Sequence, residues 1–353
     1  MKTSTHLLTL LLFIASITAF WSCGKRIVYS SQKMVADGKY DLAYPFGGKS
    51  EDLKGILESV RLLNSTAYYE SYVFPYSAQI EKTDVNKSLF KANKHSEKTV
   101  YNDFAVGTAT FVYYNSSRVA VLTCAHVVDF ADTVITFYEA ADTLQPTYVR
   151  RVSIKKSQRN SVVDMREGEE FDILAADYDL DVALLGKRLN FVASENFPVF
   201  KYARGSAKEL DWGNLLYLVG YPSGKKMITT GIVSSPDRTR NHGFLVDALF
   251  NRGFSGGIAL AVRDGVPNFE LVGIVNAVAA DHELIIAPGE FPSEFDINLS
   301  TPYRGDLFVQ IQKKINYGVA YGISIDAIIE FIQENRKELR DQGYIISNFF
   351  NGL

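Results

Sequence analysis

The sequence lacks the features that mark several classes of protein: many cysteines, an excess of basic charge, and repeats. Only two of its 353 residues are cysteines, Cys23 and Cys124, too few for a disulfide-stapled scaffold. The 37 basic side chains are offset by 40 acidic ones, and a net charge of −3 argues against a nucleic-acid partner. Internal repeats and low-complexity tracts are also missing. With 47% hydrophobic residues, the composition indicates an ordinary folded protein and excludes a disordered chain.

No apolar run is long enough for a membrane-spanning helix, which needs roughly 20 residues. The run at residues 7–21 (LLTLLLFIASITAFW) is shorter than that and follows the positive start Met1-Lys2. It predicts a signal peptide over residues 1–22, and therefore export. Residues 20–24 (FWSCG) resemble a bacterial lipobox, which implies a lipid on Cys23 and attachment to a membrane. The alternative is ordinary cleavage after Ala19, which leaves Cys23 free.

The rest of the chain divides by composition. Residues 23–50 are polar and predict a flexible tether. Residues 51–343 predict the folded domain, with a Lys-rich surface insertion at about 75–103, and residues 344–353 form a tail.

Short apolar runs separated by turn signals dominate the folded part from Phe104 onward. Strand after strand without long helices between them predicts an all-β barrel or sandwich. The end differs, because isoleucines at helical spacing follow Ser324, a predicted N-cap, and precede Gly343, a predicted stop.

Three segments carry chemistry: LTCAHVV (residues 122–128), DLDVALL (179–185) and NRGFSGG (251–257). They supply His126, Asp181 and Ser255. A serine hydroxyl becomes a nucleophile when a histidine takes its proton and a carboxylate orients that histidine. Glycines beside the serine permit a tight turn whose N–H groups stabilise an oxyanion. Asp179 is the competing carboxylate. Cys124, in an apolar run, is predicted to be a small buried side chain.

The order His, Asp, Ser on a β-rich chain is that of the chymotrypsin class. GFSGG also satisfies the G-x-S-x-G motif of α/β-hydrolase esterases, which need their Asp and His after the serine. Only His282 lies downstream and alternating helices are missing, so this alternative is disfavoured.

The chain resembles the trypsin-like serine peptidases, and among them the bacterial HtrA/Deg branch. The resemblance rests on LTCAHVVD, on LVGYPSG followed by TTGIVSS, on VDALFNRGFSGG, on VGIVNAV and on YGVAYGISID. It implies two six-stranded antiparallel β-barrels with a C-terminal helix, and a serine endopeptidase without cofactor or metal. Its substrates would be proteins or peptides of the cell envelope. Since Gly24 follows Cys23, the periplasmic face of the outer membrane is the expected location.

The same resemblance assigns residue roles. His126 is the general base, Asp181 orients it, and Ser255 is the nucleophile. The N–H groups of Gly253 and Ser255 form the oxyanion hole.

The resemblance also assigns a primary specificity pocket. Leu249 and Phe250 form its floor, and Asn276, Ala277 and Val278 its wall. These side chains predict cleavage after small apolar residues such as Val or Ala. An alternative in which Asp247 enters the pocket would select basic residues instead.

Three departures from the family are expected to matter. Phe254 stands where the family has Asn or Asp, which raises the question of oxyanion-hole geometry. Residues 279–316 form an insertion after the cleft strand, either a lid, a partner surface or a plain loop. The PDZ domain of many HtrA proteins is expected to be missing. Because of Phe254 and the insertions, a pseudo-peptidase that only binds proteins is the second hypothesis.

Overall fold

The computed structural model describes the greater part of the chain. The described residues are 36–42, 50–86, 97–115, 117–138, 148–165, 170–189, 198–236, 243–248, 251–288 and 307–346. The side chains of residues 277–282, 288, 307–308 and 310–318 are not among them. The signal peptide and Cys23 lie outside the described residues. All elements named below belong to one unit, Gly38–Leu353.

Strands make up most of the described residues, and helices lie at two places. The helices are α1 (Ser50–Ser59), α2 (Ile325–Glu334) and α3 (Arg336–Asp341). The strands are β1 (Val60–Val73), β2 (Glu97–Asn115), β3 (Arg118–Thr123), β4 (Thr133–Phe137), β5 (Val149–Val162), β6 (Asp172–Asp177), β7 (Val182–Arg188), β8 (Ala203–Arg204), β9 (Leu215–Gly220), β10 (Met227–Ser235), β11 (Phe244–Asp247), β12 (Ile258–Val262), β13 (Phe269–Pro288) and β14 (Leu307–Ser324).

The first sheet has seven strands in the order β4-β5-β1-β2-β3-β7-β6 and forms a half-barrel. Its strands alternate between buried and less buried residues, as expected for a sheet with only one face packed on the core. In β1, every second residue from Leu63 to Ser71 is buried. The sheet is antiparallel throughout, and β1 and β2 pair from Val60 opposite Thr110 to Val73 opposite Glu97.

The second sheet closes on itself. Its order is β12-β9-β10-β11-β14-β13, and a further pairing of β12 with β13 completes a six-stranded barrel. The short β8 lies outside this ring, parallel to β13. β12 is buried at every position because its alternate side chains pack in two core clusters, with Ala259 and Ala261 in one and Ile258, Leu260 and Val262 in the other. The predicted all-β fold of the chymotrypsin class is thus confirmed, although the first sheet has seven strands and stays open.

The predicted flexible tether of residues 23–50 is contradicted at Tyr40 and Asp41. Tyr40 is only 5% exposed, and its hydroxyl donates a 2.8 Å hydrogen bond to Glu270. The Arg263 guanidinium lies 4.1 Å from the centre of the Tyr40 ring, and Asp41 N–H donates to the Val262 carbonyl at 2.9 Å. This segment packs on the second barrel because a tyrosine buries a large apolar ring while its hydroxyl keeps a polar partner.

The two predicted insertions also differ from simple loops. The connection after β1 contains 3-10 turns at Tyr76–Ala78 and Lys82–Asp84, and its Ile80 is buried. Residues 97–103 belong to β2, and 87–96 lie outside the described residues.

In the second insertion, residues 280–288 pair with 307–315 and extend β13 and β14 into a two-stranded arm. The described side chains of the arm include Leu284, Ile286 and Val309, which are 74%, 72% and 70% exposed.

The C-terminal helix was predicted correctly at its start. Ser324 Oγ accepts a 3.1 Å hydrogen bond from Ala327 N–H and caps α2. Asn335 interrupts the predicted single helix, and Gly343 ends α3 with a φ of 88°. Among the described helices, none is long and apolar enough to cross a membrane.

Candidate active site

His126 lies in a 3-10 turn, Ala125–Val127, directly after β3. The residues around it, Cys124, Ala125, Val127 and Val128, are buried, whereas 48% of the His126 side chain is exposed. The apolar neighbours therefore anchor the turn and leave the imidazole at the surface.

Asp181 binds His126 twice. Its Oδ2 lies 2.7 Å from Nδ1, and its Oδ1 accepts a 2.7 Å hydrogen bond from the His126 N–H. Because a carboxylate only accepts, the ring must donate from Nδ1, which leaves Nε2 as the acceptor. This is the tautomer that a general base requires.

The turn between β6 and β7 places this carboxylate. Asp181 has a φ of 62°, a left-handed conformation that aspartate tolerates better than most residues. Asp179, the competing carboxylate, lies earlier in this turn and is exposed, and its N–H donates to Asp177 Oδ1 at 2.9 Å. The structure brings Asp181, rather than Asp179, to His126.

Ser255 occupies a tight turn between glycines. Gly253 and Gly256 have φ values of 101° and 85°. A Cβ at Gly256 would lie 2.1 Å from the Thr108 carbonyl oxygen, so this position needs a glycine for space as well as for conformation. The Gly256 N–H donates to the Val275 carbonyl at 2.8 Å, which ties the turn to β13.

The first sheet holds the other side of this turn. Thr108 N–H, on β2, donates to the Ser255 carbonyl at 2.7 Å. A Cβ on the neighbouring Gly107 would lie 2.7 Å from Val127 and 3.0 Å from the Ser255 carbonyl oxygen. The turn that carries His126 and the turn that carries Ser255 therefore flank Gly107 closely. The described residues show no hydrogen bond between Ser255 Oγ and the His126 ring.

The backbone of the Ser255 turn offers two donors. Neither Gly253 N–H nor Ser255 N–H donates a hydrogen bond to any described residue. The Arg252 carbonyl accepts a 2.8 Å bond from Ser223 N–H. Since the peptide is planar and trans, this bond turns the Gly253 N–H the opposite way. Two backbone donors without a partner are what an oxyanion hole provides.

Phe254 shapes the turn from inside the second barrel. Its ring is 1% exposed and packs against Gly220, where a Cβ would lie 2.6 Å from the ring. Its own N–H donates to the Asn251 carbonyl at 3.2 Å. A buried apolar anchor thus stands where the resembled family uses a polar side chain.

The predicted specificity residues are only partly described. Leu249 and Phe250 lie outside the described residues. Asn276 is half-buried at a bulge where β13 shifts register against β14, and bulges often adjoin active sites. The backbone of Ala277 and Val278 pairs opposite Tyr321 and Ala320.

Asp247, the alternative specificity residue, is exposed at the end of β11. Its backbone pairs with Ile232 on β10 and with Val319 on β14.

Cys124 lies directly beneath the His126–Asp181 pair. It is fully buried, as predicted, and its Sγ donates to the Val275 carbonyl at 3.3 Å. Burial raises the pKa of the Cys124 thiol, and the Asp181 carboxylate raises it further. Its sulfur and ligand atoms of His126 and Asp181 lie within 4.8 Å of one another. A metal ion prefers a thiolate and a free imidazole nitrogen, so a neutral thiol beside an occupied Nδ1 is a poor site.

Some residues at this site escaped the sequence analysis. Thr108 and Val275 bind the Ser255 turn, and Tyr221 and Ser223 lie against it. Their signals in the sequence are those of ordinary strand and turn residues, since most of these contacts use the backbone.

A family model matches the middle of the chain. Residues 107–274 match the family model of the trypsin-like peptidase domain, a range that includes the three residues of the predicted triad. Match and fold together support a serine peptidase of the trypsin-like class. Among curated proteins, no relative matches the chain.

Proposed function

We propose that the protein is an exported serine endopeptidase of the HtrA/Deg-like branch that works through His126, Asp181 and Ser255. The observation that carries the proposal is the double hydrogen bond of Asp181 to His126, at 2.7 Å each. It fixes a base next to a serine turn whose two N–H donors have no partner among the described residues.

The chemistry follows from these positions. His126 Nε2 takes the Ser255 proton as Oγ attacks the scissile carbonyl, and Asp181 stabilises the imidazolium. The oxyanion accepts hydrogen bonds from the Gly253 and Ser255 N–H groups. His126 then protonates the leaving amine, and water hydrolyses the acyl-enzyme by the same steps. No cofactor or metal takes part, so EDTA should leave the activity unchanged.

A fluorophosphonate probe tests the nucleophile directly, because it labels a serine only when a base activates it. We expect the mature protein to be labelled and the Ser255→Ala variant to remain unlabelled. Asp181→Asn should also abolish labelling, while the matched control Asp179→Asn keeps it. Labelling that survives Asp181→Asn and disappears in Asp179→Asn would reverse the assignment of the carboxylate.

The second candidate is a pseudo-peptidase that binds proteins without cleaving them. It is favoured by the lack of a hydrogen bond between Ser255 Oγ and the His126 ring in the described residues. Catalytic hydrogen bonds are often long before substrate binds, so this observation carries less weight than the Asp181–His126 contact. A folded wild-type protein that resists the fluorophosphonate would establish the pseudo-peptidase.

For specificity, we propose cleavage after Val or Ala, with Leu accepted less well. The support is the resemblance, which lines the pocket with Leu249, Phe250 and Val278 and offers no charge to a basic side chain. Burying an unpaired charge costs several kcal/mol. A peptide-library digest is the measurement. Dominant cleavage after Lys or Arg that disappears in Asp247→Ala would contradict the proposal.

For location, we propose lipid attachment at Cys23 and substrates in the cell envelope. The support is the apolar run at residues 7–21 and the lipobox-like FWSCG segment. Acyl chains anchor a protein because each buried CH₂ contributes about 0.8 kcal/mol. Wild type should partition into detergent and Cys23→Ser into water; wild-type protein found only in water would refute the anchor.

A further inference from the structure

Thr108 is a buried residue of the first sheet that faces the serine turn of the second barrel. It lies on β2 and is fully buried. Its hydroxyl donates a 2.7 Å hydrogen bond to the Gly253 carbonyl and accepts a 2.9 Å bond from the Tyr221 N–H. Its own N–H donates to the Ser255 carbonyl at 2.7 Å. One residue thus makes three hydrogen bonds to the two turns beside the candidate active site.

These two turns depend on each other. The turn after β9 begins at Tyr221, whose carbonyl oxygen would lie 2.3 Å from a Cβ at Gly253. Ser223 N–H donates to the Arg252 carbonyl at 2.8 Å. The Thr108 hydroxyl is inserted between the two backbones and supplies one donor and one acceptor at the point of closest approach.

The hydroxyl also fixes a peptide plane. The Gly253–Phe254 peptide is held on its carbonyl side by Thr108 and on its N–H side by the Asn251 carbonyl at 3.2 Å. The Ser255 N–H belongs to the next peptide, whose Phe254 carbonyl accepts a 2.7 Å hydrogen bond from the Gly257 N–H. Since Thr108 holds the carbonyls of the peptides on both sides of it, the Ser255 N–H has a defined direction. The Gly253 N–H is set by the neighbouring Ser223–Arg252 bond.

We propose that Thr108 is a positioning residue for the oxyanion hole, acting through Gly253, Tyr221 and Ser255 without touching substrate. The inference rests on the proposed peptidase function. Only a hydroxyl can satisfy the Gly253 carbonyl and the Tyr221 N–H together in this space. Valine has nearly the same shape but leaves both groups buried without a partner. Serine keeps the hydroxyl and loses one methyl group.

The test compares Thr108→Val with Thr108→Ser, and uses Thr110→Val as the matched control. Thr110 lies on the same strand, and its buried hydroxyl has no hydrogen-bond partner among the described residues. We expect Thr108→Val to lower kcat about 10–100-fold, since small displacements of catalytic groups have effects of that size. KM should stay within about twofold, because the affected interaction forms only in the transition state. Thr108→Ser and Thr110→Val should keep kcat within about threefold.

Three results would overturn the proposal: a Thr108→Val enzyme with wild-type kcat, an equal loss in Thr108→Ser, or a change confined to KM. Kinetics are measured on protein shown to be folded by its urea transition. Should Thr108→Val not fold, Thr108→Ala replaces it with the same expectations.

Hydrogen exchange separates this proposal from the proposed function. The Tyr221 amide should exchange about tenfold faster in Thr108→Val, because it loses its acceptor, and at the wild-type rate in Thr108→Ser and Thr110→Val. Wild-type protein that neither hydrolyses peptides nor reacts with a fluorophosphonate would refute the peptidase. Unchanged Tyr221 exchange in Thr108→Val would refute the positioning role, whether or not the wild type is active.

Discussion

The two barrels contribute to the candidate site in different ways. The first sheet, an open half-barrel, supplies His126 and Asp181, which hold each other through a side-chain hydrogen bond on turns outside the sheet. The closed second barrel supplies Ser255 on a turn that glycines and backbone hydrogen bonds define.

Because of this difference, some substitutions should change catalysis alone, while others should also change folding stability. Nearly half of the His126 side chain is exposed, so it can change while the fold persists, whereas Asp181 is only 16% exposed and lies against the buried Cys124. The Ser255 turn packs against both barrels at distances that admit no extra atom. Substitution of His126 should therefore affect the reaction alone, and substitutions in the Ser255 turn should affect both reaction and stability.

The largest expected effect is at His126, where activity should be lost without a loss of stability. His126→Ala should lower kcat/KM about a thousandfold or more, and adding Ser255→Ala should reduce it little further because triad members act as a unit. The urea midpoint should match the wild type, since nearly half of the His126 side chain is exposed. A large fall in stability would contradict the distinction between the exposed His126 and the tightly packed Ser255 turn.

The second prediction concerns the Ser255 turn. Gly256→Ala should destabilise the protein by at least about 4 kcal/mol and remove activity, because a Cβ there overlaps backbone at a left-handed φ. Gly224→Ala is the control: its φ is 74°, but nothing lies within 4 Å of the added atom. That change should cost only about 1 kcal/mol. Urea unfolding measures both, and equal costs would contradict the steric argument.

The third prediction compares two buried phenylalanines. Phe254→Ala and Phe74→Ala should each cost about 3–5 kcal/mol in unfolding free energy, because both remove a fully buried ring. Phe254 carries the serine turn, while Phe74 belongs to a separate cluster in the first sheet. The folded Phe254→Ala enzyme should therefore lose kcat as well, and folded Phe74→Ala should keep it. A loss of kcat in both would show that the Phe74 cluster also sets the turn.

The smallest effect lies on the first sheet, away from the site. The Tyr72 hydroxyl and the Lys98 ammonium bind Glu70 and lower its pKa from 4.5 to about 2. A lowered pKa means that the carboxylate stabilises the fold above the unfolded value of 4.5 and loses this contribution as pH falls toward 2.

Glu70→Gln should therefore reduce stability at pH 7 by at most about 1 kcal/mol, as is usual for a surface ion pair. The difference from wild type should shrink in urea titrations between pH 4.5 and 2. A difference that does not change with pH would exclude the ion pair as its cause. Activity at pH 7 should not change.

The sequence predicts the β-rich fold and the C-terminal helix because both rest on periodicity and local capping. The short motifs around His126 and Ser255 likewise identify turns, since glycine and apolar spacing are local signals. The choice of Asp181 over Asp179 followed the family pattern, and the left-handed turn that makes the contact is visible only in the structure.

What sequence reasoning missed depends on contacts between distant segments. Tyr40 looks like part of a polar linker until its ring is seen beneath Arg263, more than two hundred positions later in the chain. Thr108 is one of several threonines in β2, and only the approach of Gly253 and Tyr221 distinguishes it. The insertion at 279–316 contains turn signals such as Pro288-Gly289, but nothing local pairs residues 280–288 with 307–315, so the arm that continues β13 and β14 is visible only in the structure.

The burial of Cys124 has a practical consequence for labelling chemistry. In the Cys23→Ser variant this is the sole thiol of the chain, and it is both inaccessible and protonated. Alkylating reagents require an exposed thiolate, so they should react with Cys124 only when the interface between the two barrels opens. The alkylation rate of this variant would then report how often the site comes apart, without any dye or substrate bound to it.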